Sequence, residues 1–186
     1  ESKFYRITGA GMQSKGIHPD ITLPSTWDIE EIGESSYDTA LPWDEIKPVR
    51  FKKFSLGPTL ISRLNDEHLT RVNHSPNLQY ILDIRKRYEI QKNKEVISLN
   101  LTNRRVEKEE RQSWALDMEN KRRASLNLET FKSYKAMQDY NEAKETEEDE
   151  RDSEIDVDND YLLNEGIQIL SDYAIFNQNI YLSKVA

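Results

Sequence analysis

Residues 58–88 read PTLISRLNDEHLTRVNHSPNLQYILDIRKRY, and their periodicity decides the fold class. Leu60, Ile61, Leu64, His68 and Val72 fall on one stripe at helical spacing, with Leu69 beside it. Arg63, Asp66, Glu67 and Arg71 are expected to face the other way. Ser75-Pro76 then carries a helix-start signature. A serine side chain can cap free amides, and a proline loses nothing at the first helical position, where its missing N–H would be unpaired anyway. Leu78, Ile81, Leu82, Arg85 and Tyr88 follow at helical spacing. The stretch therefore predicts two helices joined by a short link, an αα-hairpin.

Downstream, Val96-Ile97-Ser98-Leu99-Asn100-Leu101 alternates with period two and predicts a single strand. Thr102 opens a long charged helix, roughly 103–124, with a thin stripe through Val106, Glu110, Trp114 and Met118. A shorter helical piece carrying Leu128, Phe131, Tyr134 and Met137 or Gln138 follows. Residues 142–160 then hold eleven acids against Lys144 and Arg151. Self-repulsion and scarce apolar groups predict a solvated linker there. Leu162, Leu163, Ile167, Leu170, Ala174 and Ile175 form a last amphipathic helix, capped by Asp158 or Asp160.

Upstream the signals change. Lys3-Phe4-Tyr5-Arg6-Ile7 is β-prone, Thr8-Gly9-Ala10-Gly11 is turn chemistry, and Met12-Gln13 begins a return strand. Ile21-Thr22-Leu23 is a further short apolar strand bounded by Pro19 and Pro24. Residues 24–58 hold four of the six prolines and little periodicity, which reads as an irregular connector anchored by Trp43. The expected fold class is thus α+β, mainly α. Short strands or a hairpin occupy 1–24, a connector 25–57, and a helical domain 58–186 with an acidic linker at 142–160.

Composition narrows the function classes. Hydrophobic residues make up 36% and charged residues 32% of 186, and the net charge is −8. Mean hydropathy is −0.84. Nucleic-acid binding needs concentrated positive potential and is not expected. No apolar run is long enough to span a bilayer. Cysteine is absent, which excludes disulfides, thiol catalysis and cysteine-ligated zinc in this stretch.

No residue pattern in this stretch points to reactivity. His18, His68 and His74 show no ligand spacing with one another or with a nearby acid, so structural roles are expected. Asp156, Asp158 and Asp160 alternate like the start of a calcium loop, but Tyr161 stands where the turn needs Gly, and Ile167 where a bidentate Glu belongs. Ser14 and Lys15 are adjacent, and adjacent residues of a strand face opposite sides, so this serine cannot pass its proton to that lysine. No nucleophile elbow and no Gly-rich phosphate loop occurs. The residues therefore predict no catalytic, cofactor-binding or metal site in this stretch, and no cofactor.

One block is more specific than its chemistry. Lys3-Phe4-Tyr5-Arg6, the Gly-containing turn, and Gln13-Ser14-Lys15-Gly16-Ile17-His18-Pro19-Asp20-Ile21 resemble the last hairpin of the peptidase sheet in the carboxy-terminal processing serine proteases. Ala40-Leu41-Pro42-Trp43-Asp44-Glu45-Ile46, Val96-Ile97-Ser98-Leu99-Asn100 and Asp160-Tyr161-Leu162-Leu163-Asn164-Glu165 resemble the large tail-specific type of Gram-negative bacteria. The resemblance implies a C-terminal piece of a periplasmic enzyme whose serine, lysine and tail-reading PDZ domain lie upstream of residue 1. It implies protein substrates with apolar C-terminal tails for the parent, an adaptor lipoprotein as a partner, and a docking role for the helices. Self-association through residues 3–23 is a further expectation, because their apolar groups would have lost part of a parent sheet. The alternative is a free-standing helical binding module whose β segment pairs with a partner's sheet edge.

Overall fold

A computed structural model describes residues 3–27, 32–52, 57–150, 157 and 160–185, leaving aside the side chains of 147–150 and 178–185. Among the described residues the protein is mainly helical. After a 3-10 turn at Glu34–Ser36 come α1 (Pro58–His74), α2 (Pro76–Lys92), α3 (Leu101–Ser125), α4 (Tyr134–Glu150) and α5 (Tyr161–Val185). The chain divides into two compact units. One comprises Glu1–His68 and Ile169–Ala186, the other Leu69–Gln168.

The local chemistry that bounds each helix is visible. Proline at 76 disfavours helical dihedrals at Ser75, which is extended (φ −81°, ψ 117°), so α1 stops and the Ser75 hydroxyl accepts from Leu78 N to start α2. Asn100 Oδ1 accepts from Thr102 N (2.9 Å) and Asn103 N (3.3 Å), which starts α3. Asn127 ends it with φ 56°, a left-handed conformation that asparagine tolerates. Leu128 N then donates to Arg123 O and Asn127 N to Ala124 O, pairing carbonyls that a helix end leaves open. Asp160 caps α5 through Leu162 N and Leu163 N; Asp158 lies outside the described residues.

In the first unit, Leu60 and Leu64 of α1 pack with Phe176 of α5, and Ile21 and Tyr173 close against them. The Arg63 guanidinium stacks 3.7 Å above the Phe176 ring, which shields one edge of this cluster. In the second unit, Val72, Leu78, Ile81 and Leu162 form a separate cluster. There α2 packs on α3, and α3 on α4.

Several expectations are corrected. The β hairpin over residues 3–23 does not form as strands. Among the described residues only two isolated antiparallel bridges occur, Tyr5 with Gly11 and Ala10 with Glu45. The turn is present, with Arg6 N donating to Ala10 O and Met12 N to Phe4 O, but the second side pairs irregularly with the connector through Ile46 N to Gly9 O and Val49 N to Ile7 O. Ile21 is turned into the helical cluster instead of a sheet. The strand over 96–101 is also missing. Residues 94–100 are coil and Leu101 already belongs to α3, since no neighbouring strand is there to pair and the Asn100 cap favours the helix.

The acidic run is helical as far as Glu150. Glutamate, lysine and alanine are strong helix formers, and like charges one turn apart cost only a few tenths of a kcal/mol, so about half the expected linker propagates the helix. Positions 151–156 and 158–159 lie outside the described residues. Leu128 and Phe131 sit in the link before α4, because the Asn127 reversal ends α3 and α4 begins only at Tyr134.

Candidate functional site

A polar cluster of the second unit draws charged side chains from α1, α3 and α5 and the neutral Asn77 and Tyr80 from α2. Glu119 on α3 is buried, as is Glu165 on α5. A buried carboxylate must be paired, and both are. Arg122 Nε lies 2.8 Å from Glu119 Oε2 and Nη2 lies 2.6 Å from Oε1, a bidentate fork, while Arg122 Nη1 donates to Asn77 Oδ1 on α2 at 2.8 Å. Arg123 approaches the same carboxylate at 3.9 Å. Arg71 on α1 grips Glu165 on α5, Nε to Oε1 at 3.0 Å and Nη2 to Oε1 at 2.9 Å.

Aromatic rings complete the cluster. The Arg122 guanidinium lies 5.3 Å from the Tyr80 ring centre. Arg123 lies 4.3 Å from Phe131, which in turn meets Tyr140 at 5.3 Å and 54°. Asn120 fixes the Phe131 backbone reciprocally: its Nδ2 donates to Phe131 O at 2.9 Å, and its Oδ1 accepts from Phe131 N at 2.7 Å. Burial pushes the Tyr80 phenol pKa up, and the Glu119 carboxylate adds to the shift, so Tyr80 stays protonated at neutral pH. The hydrogen bonds to Glu119 raise Arg122 above its already high value. A cavity of about 730 Å³ opens among these groups, with Leu78, Leu126 and Met137 as apolar patches in its lining.

This arrangement holds charge in place. Each guanidinium is committed to a carboxylate, and the protonated phenol beside them is held away from its titration range. It orders the helices that carry it and leaves an amphipathic recess beside them.

Ser14, Lys15, His18 and His68 lie outside this recess, whereas His74 lines it. Ser14 Oγ donates to Leu41 O, whereas Lys15 Nζ sits 3.4 Å above the Trp43 ring, so the two have different partners. Trp43 anchors the connector as expected, by donating from Nε1 to Gly11 O at 2.9 Å. His18 is exposed, His68 is buried in α1, and His74 Nδ1 lies 2.7 Å from Thr70 O. Among the described residues no group of three or more His, Cys, Asp or Glu side chains is placed to hold a metal ion, and no helix is long and apolar enough to cross a membrane.

The family model "C-terminal domain of tail specific protease" matches residues 27–175. The chain belongs to the tail-specific protease C-terminal domain family. It is also 29% identical over 182 residues to the tail-specific protease of Haemophilus influenzae, covering 95% of this chain and 24% of that protein. The chain thus spans about a quarter of the length of the curated relative it matches. The charged cluster of this tail-specific protease domain was only partly readable from the sequence. Arg122 and Arg123 each lie one helical turn from Glu119, a spacing that signals a pair. Arg71 was expected to face away, and nothing local links it to Glu165, 94 positions later.

Proposed function

We propose that this domain is the non-catalytic C-terminal part of a periplasmic tail-specific serine endopeptidase, where it scaffolds the peptidase and offers a docking surface. The parent would process or degrade proteins from apolar C-terminal tails, with its serine and lysine outside this chain and an adaptor lipoprotein among its partners. One observation carries this reading. The buried carboxylates of the second unit are both paired, Glu165 of α5 with Arg71 of α1 and Glu119 with Arg122 of α3, which also bonds Asn77 of α2; that is the work of a frame, whereas catalysis needs a nucleophile poised against a base. Family membership and the match to a quarter of a protease support it.

The test is direct. The purified chain, incubated with a protein ending in an apolar tail, should give no cleavage, while the longer parent protease cleaves it. Turnover by the chain alone that is blocked by a serine-directed inhibitor would refute the reading.

A further inference from the structure

Where α2 and α3 approach each other, several polar side chains join Ile84 and Ala115, whereas packed helices ordinarily bury apolar stripes. Arg87, Tyr88 and Gln91 follow one another on α2 at helical spacing, and Lys108, Arg111 and Gln112 do so on α3. With Trp114, and with Tyr134 of α4, they line a cavity of about 580 Å³. Its lining holds three cations and no carboxylate, in a chain of net charge −8. Among the described residues, Lys108 and Arg111 make no hydrogen bond or ion pair. Arg87 lies 5.3 Å from the Trp114 ring centre, and its Nε is buried without a hydrogen-bond acceptor. A buried N–H left unpaired is costly, and the guanidinium that carries it belongs to the lining of this cavity.

We propose that this cavity binds an acidic peptide segment, one carrying two or more carboxylates next to an aromatic or apolar side chain. Guanidinium forks match carboxylates in shape as well as charge, and three unneutralised cations exceed what a single carboxylate balances. The flat faces of Tyr88, Trp114 and Tyr134 supply the apolar half of the recognition. This site is separate from the Arg122–Glu119 cluster, whose cations are already committed. It also adds a ligand class to the docking role proposed above.

The whole chain, labelled with nitrogen-15, provides the test. It has three tryptophans, so Trp114→Phe identifies the Trp114 indole N–H signal. The probe is an acetylated, amidated hexapeptide Asp-Phe-Glu-Asp-Phe-Glu. The control replaces each acid by its amide. Titration should shift the Trp114 signal saturably. Lys108→Gln or Arg111→Gln, both at exposed positions where circular dichroism can verify folding, should each weaken binding about tenfold. Raising salt from ~0.05 to ~0.5 M should weaken it further. Equal binding of the amide control would overturn the proposal in favour of purely apolar contact. Saturation by acetate alone at the same concentration would overturn it in favour of a free-anion site. Unchanged affinity in both variants would overturn it outright.

Discussion

Arg71 and Glu165 meet across 94 positions of sequence, with Arg71 Nε 3.0 Å from Oε1 and 3.1 Å from Oε2. The Glu165 side chain is only 4% exposed. Removing the guanidinium would leave a carboxylate out of water with its main counter-charge gone. Arg71→Met should therefore lower the unfolding free energy by about 3 kcal/mol, seen as a lower urea midpoint at unchanged slope. Replacing both partners, Arg71→Met with Glu165→Leu, should recover most of the loss. An unshifted midpoint in the single variant would show that the pair contributes nothing to the fold.

Tyr80 makes stability depend on alkaline pH. Its phenol pKa is raised in the folded state by burial first and by Glu119 second. The folded state therefore holds its proton more tightly than the unfolded chain does. The resulting stabilisation is fully present below the unfolded value of about 10 and is lost as pH rises from there through the folded value. Tyr80→Phe should flatten the fall in melting temperature above about pH 10. Spectrophotometric titration should also lose one late-titrating tyrosine. A variant as alkali-sensitive as the parent chain would place the effect elsewhere.

Asn100 decides that α3 begins where it does. Its side chain accepts from two amides that the helix cannot pair itself. Asn100→Ala should cost about 1 kcal/mol, and Asn100→Asp should cost little, since aspartate caps equally well. Amide exchange at Thr102 and Asn103 should accelerate in the alanine variant alone.

Gly9 has φ +88°, and a Cβ there would overlap the Ile46 carbonyl oxygen. Gly9→Ala should break the bonds from Ile46 N to Gly9 O and from Gly11 N to Asp44 O, which tie the first turn to the connector. Tryptophan emission should change with it, because Trp43 is held by Gly11 O. Ala10→Gly at the next position should leave that emission unaltered.

The sequence disclosed the helices best where two independent signals agreed. Around residue 75 the apolar stripe breaks where a capping serine and a first-position proline appear, and the structure places the boundary there. Period two alone was less informative. Val96 to Leu101 has the right residues for a strand, but a strand is completed by its neighbour, and no pattern within six residues reports whether one exists. In the acidic run, helix propensity prevails over charge repulsion as far as Glu150, and Glu142 and Glu145 stand exposed, where solvent weakens their repulsion. The candidate site divides the same way. The Glu119–Arg122 spacing is local and legible, whereas Arg71–Glu165 exists only after folding.

Val96, Ile97 and Leu99 stand in water along the segment 94–100, Leu99 almost completely so. A short β-prone stretch of this kind is the raw material of fibrils when chains are crowded together. Its neighbours restrain it: Lys94 and Glu95 on one side, Arg104 and Arg105 on the other, act as electrostatic gatekeepers against stacking in register. Lys94 is also anchored 2.7 Å from Glu107 of α3, which fixes one end of the segment to a helix. Concentrated salt that screens these flanking charges should therefore favour stacking of this segment, read as a rise in thioflavin fluorescence.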